Sequence, residues 1–416
     1  MSVPAKTSVE HLRVDADRLL ARLDALAEIG AIEGNGVCRL ALSDEDRLAR
    51  DQVVAWMRDL GLDVSIDRIG NVLGLRPGRE DLPPVTVGSH IDTVATGGRF
   101  DGSLGVLAGL EVVAALNDAG MATRKPIAVG FFTNEEGARF APDMMGSGVH
   151  QGAMDLGHML ATTGIDGATV GQELERIGYA GDAPVGSFRA DSYIELHVEQ
   201  GPLLEHEGYD IGSVTGVQGI SWQEFRISGT SNHAGTTPMH LRQDAGYLAA
   251  AITTEARRLA LEMGEGQVAT VGVTRLIPNL VNVIPQQALL TVDLRNMEEQ
   301  RLQQAEQRLS EFIEQIAEAE GVTVDQRSLA RFQPVNFDPE MVALVENTAN
   351  QMGLKVRRLP SGAGHDAQMF APNCPTAMIF VPSRGGISHN VAEYTAPQQI
   401  EAGANVLLRA VLQRAG

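Results

Sequence analysis

Four short segments of the chain carry histidine and carboxylate side chains beside glycines, a combination that can bind divalent metal ions. They are GSHIDTV at 88–94, RFDGSLG at 99–105, TNEEGARF at 133–140 and GISHNVAEY at 386–394. Imidazole nitrogen and carboxylate oxygen suit zinc and related ions, and none of the four segments contains a cysteine. The segments therefore predict a hydrolytic site built on a redox-inert metal.

Spacing within two of these segments indicates a division of tasks. His90 and Asp92 lie two residues apart, so on a continuing strand they would share a face, and Asp92 could orient a neighbouring metal ligand. Glu135 and Glu136 are adjacent, and an extended backbone would point them apart. One glutamate could then bind metal while the other moves protons.

A further segment, SYIELHVEQGP at 192–202, alternates apolar with polar residues. An extended backbone would send Glu195, His197 and Glu199 to one face of a strand. Taken singly, such a histidine can be a hydrogen-bonded structural residue, and an adjacent glutamate pair is usually a solvated surface pair. The conjunction of all these residues with glycine-rich turns favours a metal site.

The composition restricts the class of protein. A chain of 416 residues with 44% apolar and 21% charged residues predicts a folded protein of two domains. The net charge of −20 argues against nucleic-acid partners, which need clustered Lys and Arg. Cys38 and Cys374 lie far apart and outside any CxxC pattern, so a reducing compartment without disulfides is expected.

The N-terminal residues and the distribution of apolar residues bear on location. Residues 1–20 lack the basic stretch and apolar run of a signal peptide. No window approaches the roughly 20 apolar residues that cross a bilayer. We therefore expect a soluble, cytoplasmic protein without a membrane partner.

The elements that would position the candidate ligands follow an α/β pattern. Residues 44–60 have apolar side chains at helical spacing, with Ser43 as a candidate N-cap. The apolar runs 85–87 and 127–132 flank a helix candidate at 103–120, which is the strand, helix, strand order of an α/β sheet. The metal-binding segments fall where these strands end.

The pattern changes after residue 212, which predicts an inserted α+β unit of two helices on an antiparallel sheet. We predict a discontinuous catalytic domain, 1–212 with 331–416, interrupted by the insertion 213–330. The elements predicted around this division are the strands WQEFRIS, QVATVGVTRL and ALLTVDLRN, helices near 243–262, 298–319 and 339–352, the strand TAMIFVPS and a closing helix from about 397.

Eight motifs, in order along the whole chain, resemble the hydantoinase/carbamoylase branch of the M20 metallopeptidase-like family. This branch includes N-carbamoyl-L-amino-acid hydrolase, β-ureidopropionase and allantoate amidohydrolase. The resemblance implies an α/β, di-metal aminopeptidase-like catalytic domain and an inserted dimerisation or lid domain with a four-stranded antiparallel sheet. The motifs are GSHIDTV, GRFDGSLGVLAGLEV, FTNEEGARF, ELHVEQGP, SNHAGTTPM, NLVNVIP, DLRN and GISHNVAEYT.

The resemblance also implies two divalent metal ions per subunit, with zinc as the first candidate and manganese, cobalt or nickel as alternatives. Glu135 would act as general base and acid, and Asp92 would support a ligand. The implied ligands are His90 and His197 for one ion, Glu136 and His389 for the other, and Asp101 for both.

Substrate-binding residues and a homodimer are implied as well. The family's counterpart of His233 reaches into the active site of the partner in a dimer formed through the inserted domain, where it stabilises the oxyanion. Arg295 could grip a substrate carboxylate through two hydrogen bonds, although DLRN alone would favour a surface ion pair. His365 could contact substrate or merely begin a helix. The implied substrate-binding positions are Gln200, Asn282, Arg295, Gly362 and His365.

The activity implied is metal-dependent hydrolysis of a linear C–N bond in a small ureido acid. An N-carbamoyl-L-amino acid would give the amino acid, ammonia and carbon dioxide, and allantoate and N-carbamoyl-β-alanine are alternative substrates. A peptidase or aminoacylase is less favoured, because Gly-Ser-Leu-Gly follows Asp101 and a histidine stands in ELHVEQG.

The sequence also bears on a non-catalytic alternative, on Arg384 and on the two cysteines. A non-catalytic binding protein would be expected to have lost a ligand or the base, yet all six positions are intact. Arg384 could meet an additional acceptor on the substrate or face solvent. Cys38 and Cys374 receive no role.

Overall fold

The strands expected from the sequence form the centre of a nine-stranded sheet. The computed structural model describes residues 11–187, 189–264 and 266–416, so residues 1–10, on which part of the signal-peptide expectation falls, lie outside the described residues. The strands are β1 (Ala31–Ile32), β2 (Gly36–Val37), β3 (Asp63–Ile66), β4 (Val72–Arg76), β5 (Val85–Ser89), β6 (Ile127–Phe131), β7 (Ser192–Val198), β8 (Ile211–Val217), β9 (Gly219–Ser228), β10 (Val268–Ile277), β11 (Gln287–Asn296), β12 (Thr323–Phe332), β13 (Val335–Asn336), β14 (Val356–Ser361) and β15 (Thr376–Val381).

Helices connect most of these strands, and short 3-10 turns occur at Met239–Leu241 and Arg384–Gly386. The α-helices are α1 (Ala16–Ala27), α2 (Asp44–Asp59), α3 (Ser103–Asp118), α4 (Met145–His150), α5 (Leu156–Ala161), α6 (Val170–Ile177), α7 (Leu203–Glu207), α8 (Ala245–Met263), α9 (Glu299–Glu320), α10 (Pro339–Gln351), α11 (Asp366–Phe370) and α12 (Pro397–Ala415).

The chain divides into two units. One comprises the residues up to Thr215 together with Phe337–Gly416, and the other comprises Gly216–Asn336. The insertion predicted at 213–330 ends within a few residues of these junctions. The lid and dimerisation roles of the second unit stay predictions.

Four parallel strands lie at the centre of the large sheet. Its order is β13-β8-β15-β7-β5-β6-β4-β3, with β14 beside β8, and β15, β7, β5 and β6 run parallel to one another. Parallel strands with both faces covered are apolar almost throughout, and all residues of β5, β6 and β15 are buried. The carboxyl ends of these strands meet at one edge, where ligands bind in open α/β sheets.

Helix α3 packs in the interior of the first unit and contacts β5, β6 and β7. Leu104, Leu107 and Leu110 have no exposed surface, and the whole first three turns of the helix are buried. Small residues let the helix approach the sheet: a Cβ at Gly109 would lie 2.9 Å from a methyl carbon of Val129. Packing of the helix against the sheet therefore fixes the position of its first residue, Ser103, two residues after Asp101.

The second unit is the predicted α+β element. Its four strands lie in the order β10-β11-β9-β12 and are antiparallel throughout. Ala288, Leu290, Val292 and Leu294 alternate along β11 toward a core that α8 and α9 complete. The predicted fold class is confirmed. Strand β12 was not among the stretches identified from sequence, because most of its residues are exposed and no apolar alternation marks it.

Helix α2 begins and ends close to the predicted positions. The hydroxyl of Ser43 accepts a hydrogen bond from Asp46 N at 3.1 Å, and Gly61 follows the helix with a φ of +77°. Within the described part of the chain, we find no helix with the length and apolar character needed to cross a bilayer.

Candidate active site

The carboxyl ends of the central strands deliver the predicted ligands to one place. His90 follows β5 directly, Glu135 and Glu136 follow β6 within a short turn, and His197 lies near the end of β7. His389 follows β15 after the turn at Arg384–Gly386. The order of strands therefore gathers side chains that lie up to three hundred residues apart in sequence.

His90, Asp101 and His197 form a first ligand cluster. Oδ1 of Asp101 lies 3.1 Å from Nε2 of His197 and 3.8 Å from Nε2 of His90. All three side chains are almost completely buried. Together they offer two imidazole nitrogens and a carboxylate oxygen, donor atoms that suit a divalent ion.

Asp101, Glu136 and His389 form a second ligand cluster. Nε2 of His389 lies 3.4 Å from Oδ2 of Asp101 and 3.4 Å from Oε2 of Glu136. His389 is half exposed, so this cluster is the more accessible of the two. Asp101 belongs to both clusters, with Oδ1 facing the first and Oδ2 the second.

Hydrogen bonds to backbone oxygens orient the two buried histidines. Nδ1 of His90 lies 2.9 Å from the carbonyl oxygen of Asp92, and Nδ1 of His197 lies 2.8 Å from that of Val198. A proton on each Nδ1 leaves Nε2 toward the ligand cluster. Burial lowers the pKa of His90 to about 4, so the ring stays neutral and able to bind metal at neutral pH.

The carboxylate of Asp92 supports the glutamates. Its oxygens accept hydrogen bonds from Glu135 N and Glu136 N, at 3.3 Å each, and its Oδ1 is 3.9 Å from Nδ1 of His90. Strand β5 ends at Ser89, so the shared strand face expected for His90 and Asp92 does not form. Asp92 instead links the turn after β5 to the turn after β6.

Glu135 and Glu136 face different parts of the site. Oε2 of Glu135 lies 3.4 Å from Nε2 of His90, whereas Glu136 approaches His389. Burial raises the pKa of Glu135 well above its ordinary value, and the nearby carboxylate of Asp366 raises it further. Glu135 belongs to neither ligand cluster and can therefore hold and release a proton.

The chemistry of the donor set fits divalent metal ions. Burial raises the pKa of Glu136 well above its usual range, and Asp101 adds to the rise. Burial would do the same to Asp101, but hydrogen bonds to His197 and His389 outweigh it and hold that pKa well below its usual range. Bound cations would stabilise these crowded carboxylates in their charged form.

Gln200 lies against the second cluster. Its backbone has a φ of +57°, and its side-chain nitrogen donates to Oδ2 of Asp101 at 3.0 Å and lies 3.4 Å from Nε2 of His389. Its Oε1 is buried without a hydrogen-bond partner among the described residues. The amide hydrogens thus face the same two ligand atoms that a cation in the second cluster would face.

A third group of metal-capable side chains, Glu195, His197 and His365, lies behind the first cluster. Protein groups already satisfy it: Ser89 Oγ donates to Glu195 at 2.6 Å, and Nε2 of His365 lies 2.8 Å from Ser361 Oγ. The rings of His197 and His365 pack edge to face with centroids 4.6 Å apart. His365 therefore supports His197, while Gly362 lies exposed in the same turn.

The second unit carries the other predicted substrate residues. Nδ1 of His233 accepts from Gly235 N at 3.0 Å, which leaves the Nε2 proton available to a partner, and Ala234 N donates to Asn282 O at 3.0 Å. His233 and Asn282 are thus held on adjoining segments and are exposed. Arg295 pairs with Asp293 at 2.8 Å and lies 5.9 Å from the ring centroid of Trp222.

Arg39 is a buried residue of the site region that sequence reasoning missed. Its guanidinium donates to the carbonyl oxygens of Leu26, Ile29 and Ile91 and to Ser103 Oγ, so it ties the His90 turn to the start of α3. The only signal in the sequence is a single charged residue in the otherwise uncharged stretch CRLALS.

Arg384, left open by the sequence, lies over an aromatic ring. Its guanidinium carbon is 3.6 Å from the ring centroid of Tyr394, and its side chain is exposed. This cation–π contact holds the turn that leads to His389.

The two cysteines, Cys38 and Cys374, are both free thiols.

Gly102 offers a test of how closely His90 is packed. Its φ is +63°, and a Cβ built there would overlap the His90 ring. We expect Gly102→Ala to weaken metal binding by more than about tenfold, as loss of ligand orientation does. Gly120, at the other end of α3, is the control for a positive φ alone, because its φ is +58° and a Cβ there meets nothing within 4 Å.

Calorimetric metal titration and urea denaturation of both alanine variants would separate strain from overlap. Gly120→Ala should lose only the roughly 1–2 kcal/mol of left-handed strain and bind metal normally. Equal metal affinities in the two variants would contradict the packing argument.

Comparisons with known proteins identify the family of the chain. The family model described as "Peptidase family M20/M25/M40" matches residues 86–413. The N-carbamoyl-L-amino-acid amidohydrolase of Rhizobium meliloti is 42% identical over 407 residues, covering 98% of each chain. The allantoate amidohydrolase of Bacillus subtilis is 34% identical over 388 residues, covering 92% of this chain and 94% of that protein.

A solved structure is similar over the same length. An amidase of the hydantoinase/carbamoylase family from Burkholderia multivorans is 46% identical, with a TM-score of 0.95, and the match covers 97% of this chain and 98% of that one. The family match spans both ligand clusters and Glu135. The chain belongs to the metal-dependent peptidase family M20/M25/M40, in its hydantoinase/carbamoylase branch.

Proposed function

We propose that this chain hydrolyses N-carbamoyl-L-amino acids with two divalent metal ions, zinc being the first candidate and manganese, cobalt or nickel the alternatives. The observation that carries the proposal is Asp101, whose two carboxylate oxygens face two separate ligand clusters. Glu135 stands beside the first cluster as a buried carboxyl group outside both. The Rhizobium meliloti relative, named for this activity, supports the choice of substrate.

Glu135 carries the proton transfers of the proposed reaction. Metal ions bound by the two clusters would polarise the substrate carbonyl and lower the pKa of water. Glu135 takes a proton from the attacking water and gives it to the nitrogen that leaves as the C–N bond breaks. Glu135 is buried, with its Oε2 3.4 Å from Nε2 of His90, so it stands beside the first cluster where that proton is taken up and passed on. The products are the amino acid and carbamic acid, which splits into ammonia and carbon dioxide.

The other residues that the resemblance implies supply the remaining substrate contacts in this proposal. In the proposed homodimer, His233 of the partner subunit donates from Nε2 to the carbonyl oxygen as it gains negative charge. Arg295, oriented by Asp293 and Trp222, attracts the substrate's carboxylate, and Asn282 and Gln200 offer amide groups. Gly362 keeps its predicted role as a substrate contact, and the buried His365 acts through His197.

A substrate panel tests the proposal. Protein stripped with chelator and reloaded with Zn²⁺, Mn²⁺ or Co²⁺ is given N-carbamoyl-L-methionine, N-carbamoyl-β-alanine or allantoate, and released ammonia is measured. We expect chelator-sensitive release that is fastest with N-carbamoyl-L-methionine. Faster release from allantoate would select the activity for which the Bacillus subtilis relative is named. No release from any substrate by metal-loaded protein would overturn the proposal in favour of a peptidase or aminoacylase.

A homodimer formed through the second unit is part of the proposal. Strand β10 lies at an edge of the small sheet, and Val268 and Ile277 at its two ends are each 49% exposed. Leu280 and Val281, in the following loop, are 58% and 105% exposed. An exposed edge with apolar side chains favours a partner chain. Light scattering should give twice the mass of the chain, and Val281→Asp should weaken the dimer; a monomer at micromolar concentration would contradict this.

We retain the cytoplasm as the proposed location. Cys38 and Cys374 are both free, which fits a reducing compartment. Fractionation of the cells that make the protein would place it there, and recovery from a membrane or secreted fraction would count against the proposal.

A further inference from the structure

Glu393 is a buried carboxylate at the site to which neither the sequence analysis nor the proposed reaction gives a role. It is 2% exposed, and its Oε1 accepts hydrogen bonds from Phe100 N at 2.9 Å and Asp101 N at 3.2 Å. Its Oε2 lies 3.4 Å from the hydroxyl of Ser388. One side chain from the C-terminal part of the chain thus binds the backbone of the residue that both ligand clusters share.

Ser388 extends this connection to the carboxylate of Asp101. The Ser388 hydroxyl lies 3.2 Å from Oδ2 of Asp101, and Ser388 immediately precedes His389. Glu393 N donates in turn to Asn390 O at 3.0 Å, in the turn that directly follows His389. Glu393 therefore holds both the backbone of Asp101 and the loop that presents the second cluster's histidine.

The glycine at position 98 shows how closely Glu393 is packed. A Cβ built on Gly98 would overlap the Cδ and Oε1 atoms of Glu393. The φ of Gly98 is not positive, so the glycine is required by space rather than by backbone conformation. The absence of a side chain at Gly98 leaves the space that the carboxylate of Glu393 occupies. The backbone of Gly98 and the N–H groups of Phe100 and Asp101 together fix the position of that carboxylate.

We propose that Glu393 is a positioning residue that holds Asp101 and the His389 loop in the geometry needed to bind metal in both clusters. The inference rests on the proposed use of Asp101 as a shared ligand. A carboxylate that accepts two adjacent backbone N–H groups fixes the direction in which the following side chain leaves the backbone. The partners that orient ligands typically contribute a factor of about 10–100 in metal affinity.

The decisive comparison is between Glu393→Met and Glu393→Gln, which have similar volume and differ in whether they can accept the two N–H groups. We expect Glu393→Met to weaken binding of Zn²⁺ and Mn²⁺ to the chelator-stripped protein by about 10–100-fold, measured by calorimetric titration. Glu393→Gln should retain most of the affinity, since its amide oxygen can replace Oε1. Unchanged affinity in the Met variant, or an equal loss in both, would overturn the positioning role.

Glu111 provides the matched control. It is fully buried, and it also accepts a backbone hydrogen bond, from Asp15 N at 3.0 Å, but it lies in α3 away from the ligands and pairs with Arg18. Glu111→Met should lower the thermal unfolding temperature while metal affinity stays at the wild-type value. A loss of metal affinity in Glu111→Met equal to that in Glu393→Met would show that the effect is general destabilisation.

Two further measurements test the role of Glu393 independently of the Met variant and of the proposed activity. If Glu393→Met is not recovered folded, Gly98→Ala displaces the Glu393 carboxylate by overlap with its Cδ and Oε1 atoms and leaves every ligand in place; lower metal affinity supports the inference and unchanged affinity overturns it. The titrations contain no substrate, so a failed substrate panel with the expected affinity losses would sink the proposed activity and leave the role of Glu393 standing.

Discussion

Glu135→Gln is expected to lower kcat by about 10²–10⁴-fold while the protein keeps its metal, because glutamine retains the shape of the side chain but cannot take a proton. Glu135 lies outside both ligand clusters, and its buried carboxyl group stands 3.4 Å from Nε2 of His90, where it can hold a proton between two steps. The measurement is steady-state ammonia release together with metal content by elemental analysis.

Glu136→Gln is the matched control, since it alters the neighbouring residue in the same turn. Glu136 Oε2 approaches His389 in the second cluster. That variant should lose metal from the second cluster, and its activity should recover partly at high metal concentration. Activity of Glu135→Gln that recovers with added metal would show instead that Glu135 is a ligand, and unchanged kcat would remove it from the mechanism.

Asp101→Ala is expected to cost the protein both metal ions, because the two oxygens of this one carboxylate serve two clusters. We expect metal affinity to fall by more than about 100-fold at each site, beyond the upper end for the loss of a supporting partner. Activity should then fall below detection. Stoichiometry by elemental analysis after dialysis is the direct measurement.

Single-cluster variants provide the comparison. His90→Ala removes a ligand of the first cluster alone, and His389→Ala removes one of the second alone. Each should lose about one equivalent of metal and keep the other. If Asp101→Ala also loses one equivalent, the carboxylate belongs to a single site and the proposed sharing is wrong.

Local patterns in the sequence predicted most elements that position the site. Helix α2 followed from apolar spacing and the Ser43 cap, and the buried runs at β5 and β6 marked parallel strands. Strand β12, most of whose residues are exposed, has no such pattern. Its place is set by pairing with β9, a long-range contact that local sequence does not record.

The candidate site was only partly predictable, for a related reason. Residue types and glycine turns pointed to His90, Glu135 and Glu136, and the family resemblance added the pairing through Asp101. The roles of Arg39 and Glu393 depend on backbone groups, Ile91 O for one and Asp101 N for the other. Because every residue except proline carries both a backbone N–H and a C=O group, such partners leave no signal in the sequence, and only the folded structure shows them.

The position of β15 has a consequence for synthesis of the chain. This strand lies between β8 and β7, although it comes nearly 160 residues after β8 in sequence. A nascent chain that has not yet supplied β15 leaves the edges of both neighbours open, and open edges are templates for aggregation. The same late segment brings His389 and Glu393, so the second ligand cluster forms only when that gap closes. Tight metal retention would therefore indicate that the sheet is complete. In a cell that lacks the metal, the completed sheet would lose the stabilisation that metal binding adds to the folded state.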